Sequence, residues 1–389
     1  MDFNYPESAE LFRTEIRGWL GTNLDDRYRA SHGLQMERAS PALELAREWN
    51  HRLADAGYGA IAWPPQWGGR SAGVMEQVVF AEEMHRADAP SSLNPIGLSN
   101  IAPAIIQFGT PEQQQRFLPS MLRGDDIWCQ GFSEPDAGSD LASLKASAVL
   151  DGDTWVINGQ KTWNTFGHLA NWCELLVRTD RNVPKHKGIT CILVDMTLPG
   201  VEVRPLMTLT ADNEFNEIFF DNVRVPVAST LGPIHEGWRV AMTTLAYERG
   251  GVARLHLGTR AKVAKLIELA RSTPGRDGLA SMAKDPVTRQ HLAQVYLEGE
   301  LLKLVSQRAI SGELHGRPMG PEGSIAKLVW SETEQHVTDV ASEVLGPDAL
   351  FGPWARDRAY SRSFTIAGGT TQINKQIIAQ RILGMPRDR

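Results

Sequence analysis

A chain of 389 residues, 42% hydrophobic and 22% charged, has ordinary globular composition and more length than one core usually serves. A net charge of -6, from 46 acidic and 40 basic residues spread without long runs, excludes the basic stripe of a nucleic-acid binder. Cys129, Cys173 and Cys191 are scattered and show no CxxC spacing, which argues against a disulfide framework and against a zinc site; no metal site is expected. No apolar run approaches the roughly 18 residues of a membrane span. The start, Met1-Asp2-Phe3-Asn4, has neither the basic nor the apolar region of a signal peptide, so the expected location is the cytoplasm.

Residues 1–125 read as helical. Leu11, Phe12, Ile16, Trp19 and Leu20 fall on one helical stripe, and further amphipathic stretches cover Leu43 to Leu53 and Val74 to Met84. Thr110-Pro111-Glu112-Gln113 is a capping box with Pro at the first helical position, opening a helix that ends near Gly124. Trp63 to Gly69, with two prolines and two glycines, is a turn-rich loop. From about Ile127 to Pro226 the pattern becomes β-like. Strands are predicted at Ser143–Leu150, Thr154–Asn158, Cys173–Thr179, Gly188–Met196, Val201–Leu206 and Asn216–Val225, the first two joined by an Asp151-Gly152-Asp153 turn. Short strands without intervening helices predict an antiparallel sheet or small barrel. Helical periodicity returns over 237–272, 286–312, 321–345 and 370–383. The expected class is α+β, with an N-terminal helical domain (1–125), a middle antiparallel β domain (126–231) and a C-terminal four-helix bundle (232–389). The long helices carrying Trp330, Val337 and Leu345 hold more apolar surface than one bundle buries, which predicts an oligomer.

Neither a GxGxxG turn after a strand, nor a P-loop, nor HExxH, nor GxSxG is present. The loop Gly131 to Asp140 is dense in hydroxyls, small residues and backbone N–H groups, suited either to the polar groups of a ligand or to a well-capped turn. In Asn158-Gly159-Gln160-Lys161-Thr162-Trp163-Asn164-Thr165, Trp163 and Thr165 are two apart, which on a strand places them on one side. An aromatic plane beside a hydroxyl suits a flat heteroaromatic ring, and a core Trp is the plainer alternative. Lys185-His186-Lys187 is either a solvated loop or a contact for a phosphorylated ligand.

Taken together, Ser133-Glu134-Pro135 with Gly138-Ser139-Asp140, then Asn158-Gly159-Gln160-Lys161 with Trp163, resemble the signatures of the acyl-CoA dehydrogenase family. Phe220 to Pro226 is similar to that family's exit from its β domain, and Gly369-Thr370-Thr371-Gln372-Ile373 to its late signature. The resemblance covers essentially the whole chain in order. It implies FAD, an acyl-CoA substrate, a dimer or tetramer of like or related chains, and an electron-transfer flavoprotein or similar acceptor. Lipid metabolism and β-oxidation are the implied setting. By position, Ser133 and Thr165 would hydrogen-bond the flavin ring and Trp163 would pack on it. Ser139 would meet flavin phosphate and CoA, while Thr370 and Gln372 would bind the adenine side of FAD. Two departures stand out. The family's Arg-x-Thr-Phe stretch is not recognisable around Arg271-Ser272-Thr273-Pro274, and its Gln-containing turn is replaced by Glu343-Val344-Leu345-Gly346-Pro347.

The implied reaction, α,β-dehydrogenation of an acyl-CoA to the trans-2-enoyl-CoA, needs a carboxylate for the α proton while the β hydride goes to FAD N5. In many members that base is a Glu directly before the late Gly-Thr; here the position is Gly368. A second solution in the family is a Glu before an Arg on the first long helix of the C-terminal domain, matched by Glu248-Arg249. Glu248 is therefore the expected base, with Arg249 at the substrate. Gly250 and Gly251, expected in a helix interior, cost roughly 1 kcal/mol each there, so a close approach is expected beside them. Two other readings remain open. One is a partner subunit of a hetero-oligomeric dehydrogenase, and the other a flavin monooxygenase of the same fold, which would not need Glu248.

Overall fold

The computed structural model describes residues 5–30, 36–276, 278–315 and 320–386; the side chains of 248–250 and 252–253 lie outside that description. The chain forms two units, Met1–Glu248 and Arg249–Arg389.

The first unit opens with helices α1 (Glu7–Asn23), α2 (Asp26–Ala30), α3 (Pro41–Asp55), α4 (Val74–Arg86), α5 (Ala102–Phe108) and α6 (Pro111–Arg123). Phe12, Ile16 and Leu20 of the predicted stripe are buried against Trp49, Leu53, Tyr58 and Val79, whereas Leu11 faces outward. The capping box of α6 forms as expected: Thr110 Oγ1 accepts from Gln113 N at 3.3 Å, and Gln113 Oε1 accepts from Thr110 N at 3.0 Å. The amide of Gln113 then donates to the carbonyls of Ala228 and Thr230, tying α6 to the β domain.

Strands β1 (Trp128–Gly131), β2 (Ser147–Asp151), β3 (Thr154–Lys161), β4 (Trp172–Arg178), β5 (Ile189–Asp195), β6 (Val201–Leu206), β7 (Phe215–Pro226) and β8 (Thr230–Leu231) form one sheet in the order β6-β7-β3-β2-β4-β5-β8, with β1 on β4. It is mainly antiparallel, as expected, but β1 and β2 each run parallel to β4. The strand predicted from Ser143 begins only at Ser147. The amides of Lys145 and Ala146 are bound by the Glu134 carboxylate instead of a neighbouring strand. One core joins helices and sheet through Ile105, Leu118, Met121, Trp128, Leu176 and Cys191.

The predicted helix 237–272 is two helices, α7 (Gly237–Gly250) and α8 (Leu255–Ser272), separated by a 3₁₀ turn at Gly251–Arg254. Gly250 thus ends a helix and does not sit inside one. A Cβ at Gly251 would meet no atom of the described residues within 4 Å, so no neighbouring backbone approaches it. The weak helix propensity of two successive glycines accounts for the break.

In the second unit α8 packs with α9 (Pro286–Leu314) and α10 (Glu322–Leu345), followed by α11 (Gly352–Ser361) and α12 (Thr371–Ile377). Its core holds Val263, Leu266, Val295, Val337, Val340 and Val344. Val337 is therefore spent internally, and Trp330 packs on Phe364 with ring centroids 4.5 Å apart. Outward apolar side chains of this unit include Tyr296, Leu297, Leu301 and Leu304 on α9, and Leu350 and Phe351 after α10. No helix among the described residues is long and apolar enough to cross a membrane.

Candidate active site

Strand β1 delivers the chain into the loop that holds Ser133. Glu134 and Ala137 exchange both backbone hydrogen bonds at 3.1 Å, closing a tight turn. The Glu134 carboxylate is buried and accepts from Lys145 N (2.6 Å), Ala146 N (2.9 Å) and Lys161 Nζ (2.8 Å). Lys161 is fully buried, and its ammonium also donates to the Phe132 carbonyl at 3.1 Å. Burial pushes the Lys161 pKa down, and the Glu134 charge opposes that shift. The pair clamps the residues on either side of Ser133. The Ser133 carbonyl accepts from Thr162 N at 2.9 Å, which joins the two sequence motifs in space.

Trp163 and Thr165 do not lie on a strand. β3 ends at Lys161 because Thr162 N turns to Ser133 O and Asn164 N to Asn216 O, so the period-two argument for a shared side fails. The loop is strained instead: Trp163 has φ 61° and Phe166 φ 59°, in the left-handed region bulky residues avoid. Trp163 is 63% exposed and touches Phe215 only edge-on, at 6.1 Å. Strain of this kind persists only where the surroundings over-determine it, and it clusters at ligand sites. The hydroxyls of Ser133, Ser139 and Thr165 make no hydrogen bond to any other described residue. An exposed, strained indole beside unengaged hydroxyls fits the edge and face of a flavin ring.

Against the loop of residues 133–140 lies a mainly cationic cleft lined by Lys145, Arg178, Arg181 and Lys185 together with Asp180; Lys145 is paired with Asp136 at 2.9 Å. Arg178 is spent on the carbonyls of Ala142 (2.6 Å) and Lys185 (2.5 Å). Lys185 Nζ bonds both carboxylate oxygens of Asp140 at 2.7 Å, and this bond leads the lowering of the Asp140 pKa. Arg181 has no carboxylate partner among the described residues. Of the sequence's basic triplet, only Lys185 lines the cleft, while His186 packs against Trp238 with centroids 4.8 Å apart.

Thr370 and Gln372 belong to the second unit. Thr370 caps α12, its hydroxyl accepting from Ile373 N at 3.1 Å, which leaves its O–H and a second lone pair for a ligand. Gln372 is exposed. Gly368 and Gly369 have φ 63° and 89°, and Lys327 pins the segment by donating to the carbonyls of Phe364 (2.5 Å) and Gly369 (3.0 Å). At the altered turn, Glu343 is engaged within the chain: His291 lies 2.6 Å from its carboxylate, and Arg276 donates to its carbonyl at 2.8 Å. Glu248 lies in the last turn of α7, directly before Arg249; the side chains of both are outside the described residues.

Sequence reasoning gave no role to Lys161, to Arg181 or to Glu174. Glu174 is fully buried on β4 and accepts from Thr244 Oγ1 of α7 at 2.8 Å. The available signal was one carboxylate in an otherwise apolar strand, Cys173-Glu174-Leu175-Leu176-Val177.

Models of the acyl-CoA dehydrogenase N-terminal, middle and C-terminal domains match residues 6–125, 129–223 and 235–383. The chain is 40% identical over 391 residues to acyl-CoA dehydrogenase IpdE1 of Mycobacterium tuberculosis, covering 98% of this chain and 99% of that protein. Among solved structures it resembles the ChsE4-ChsE5 complex of M. tuberculosis, with 30% identity and a TM-score of 0.84. It also resembles the steroid ACAD Tcur3481-Tcur3483, with 29% identity and a TM-score of 0.85; each similarity covers 100% of both chains. With all three domain models matched in order, this chain belongs to the acyl-CoA dehydrogenase family of FAD-dependent oxidoreductases.

Proposed function

We propose that the chain carries out α,β-dehydrogenation of a bulky acyl-CoA thioester, with Glu248 as the base that removes the α proton. Ser133, Trp163 and Thr165 hold the flavin ring, Ser139 meets flavin phosphate and CoA, and Thr370 and Gln372 take the adenine side. When bound, FAD supplies the acceptor for the β hydride. The chain's own task is then to place a carboxylate at the α carbon and to donate hydrogen bonds to the thioester carbonyl as enolate charge develops. Arg249 lies at the substrate, and electrons leave to an electron-transfer flavoprotein or similar acceptor. The observation that carries this reading is the strained, exposed Trp163 beside free hydroxyls on a β domain that also bears a cationic cleft. A bulky acyl group is favoured by Gly368 at the alternative base position, and one structural relative is described as a steroid ACAD. A related second chain is the favoured partner, since two relatives are described as two-chain assemblies and α9 presents Leu297, Leu301 and Leu304 outward.

Anaerobic mixing with a panel of thioesters tests the reaction. Ring-bearing or branched acyl-CoA should bleach the flavin absorbance faster than straight chains, and a flavin left oxidised by every thioester would refute the proposal. The cleft has its own expected result. Arg181→Glu should raise KM for the CoA thioester about tenfold, the loss of roughly one charge-assisted phosphate contact. A thioester truncated to its phosphate-free pantetheine arm should show less than about a twofold change; equal effects on both substrates would remove the cleft from the CoA site.

A further inference from the structure

Strands β3 and β7 pair antiparallel as far as Lys161 and Ile218. Continued in that register, Trp163 would come opposite Asn216. It does not. Asn164 N donates to Asn216 O at 2.9 Å, and Phe166 N to Glu214 O at 2.9 Å, so the pairing resumes one residue out of step. The surplus residue lies between Lys161 and Asn164, as in a β-bulge, a device that re-aims a side chain. Thr162 N is taken by Ser133 O at 2.9 Å, and Trp163 absorbs the excess with its left-handed φ of 61° and its indole turned outward.

Asn216 holds the closing end. It is fully buried, and its Nδ2 donates to the Asn164 carbonyl at 3.0 Å, so both backbone groups of the residue after Trp163 are bound to it. Asn164 Nδ2 completes the anchor on the Gln130 carbonyl of β1 at 2.6 Å. The Asn216 amide can face only one way. Its Nδ2 also lies 3.2 Å from the Glu214 carbonyl and 3.2 Å from His168 Nδ1. The other ring nitrogen of His168 faces the Met36 carbonyl at 3.2 Å and therefore carries the hydrogen, which leaves Nδ1 an acceptor. Turned over, the amide oxygen would meet all three acceptors.

This asparagine is a poor choice for stability alone. Its Oδ1 is buried without a partner among the described residues, which is costly. The two carbonyls that it serves have backbone donors of their own, Gly167 N on Asn164 O at 3.2 Å and Phe166 N on Glu214 O. Room is kept for it as well, since a Cβ at Gly167 would lie 3.1 Å from Asn216 Cβ. What its amide adds is the shape of the loop.

We propose that Asn216 is a positioning residue that clamps Asn164, holds Trp163 out of the β3–β7 ladder and so aims the indole at the flavin ring. The inference rests on the assignment of Trp163 to that ring.

The test is a double-mutant cycle on FAD affinity, followed by flavin fluorescence as the purified full chain is titrated. Asn216→Leu should weaken FAD about tenfold, the loss of one well-placed aromatic contact. In a Trp163→Ala background the same change should weaken FAD by less than about twofold, because the contact it misaims is already gone. A general loosening of the fold would weaken FAD by the same factor in both backgrounds, and equal factors would overturn the proposal. Unchanged affinity in Asn216→Leu would overturn it too. Should Asn216→Leu fail to fold, Asn216→Ala takes its place in the cycle.

A second readout needs no flavin. With fluorotryptophan incorporated into the full chain, the fluorine resonance of Trp163 is identified by its loss in Trp163→Phe. Asn216→Leu should shift or broaden that resonance and leave those of the buried Trp49 and Trp128 in place. An unmoved Trp163 resonance would overturn the clamp. If Trp163→Ala bound FAD like wild type, the assignment of Trp163 to the flavin ring would fall, and the fluorine resonance would still report the clamp.

Discussion

Glu248→Gln should slow flavin reduction by acyl-CoA about 10²–10⁴-fold, the usual cost of removing a positioned base, while FAD and thioester binding persist. The amide keeps the shape and one oxygen but accepts no proton, so the loss falls on the chemical step. Rapid mixing separates that step from binding; reduction at the wild-type rate would eliminate Glu248 as the base. The companion change, Gly368→Glu in the Glu248→Gln background, should restore part of the rate if the two positions flank one α carbon. Gly368 has φ 63°, so a side chain there carries a backbone cost of about 1–2 kcal/mol. Partial rescue is thus the expected ceiling. The new carboxylate also fills space beside the acyl chain, so the rescued variant should lose branched and ring-bearing substrates first. Equal rescue for straight and bulky chains would argue that Gly368 does not set acyl specificity.

Lys161→Met should destabilise the first unit by about 3–5 kcal/mol, the range for breaking a buried ion pair from one side. The cause is the stranded partner. Glu134 stays buried with two backbone donors but without the ammonium 2.8 Å away, and the Phe132 carbonyl loses its donor. Both residues flank Ser133, so flavin retention should fall along with the denaturant midpoint. Adding Glu134→Gln should recover part of the stability, since a neutral amide tolerates burial better than a lone carboxylate. A double variant no more stable than Lys161→Met would show that the charge is not the problem. Flavin retention unchanged in Lys161→Met would detach the clamp from the ring site.

Periodicity alone gave most of the elements, because local patterns dictate them. The Thr110 capping box needs only its own four residues to close, and Val201 to Arg204 alternates apolar and polar residues. The family signatures were equally legible, being contiguous. Two misplaced strand boundaries share one cause, a distant group capturing a backbone amide. Glu134 takes the amides of Lys145 and Ala146 and delays β2, while Ser133 takes the amide of Thr162 and ends β3 before Trp163.

The sequence by itself determined the helix–sheet–helix order, the family and the identity of the candidate base. The tertiary structure decided which polar residues are out of water. Nothing local distinguishes Glu174 from a solvent-facing strand carboxylate; α7 packed on that face of β4 buries it, and burial alone raises its pKa. Likewise Lys161 in an Asn-Gly-Gln-Lys turn looks exposed, until β1 and the Glu134 loop close over it. Desolvation depends on what arrives from far along the chain, which no sequence window contains.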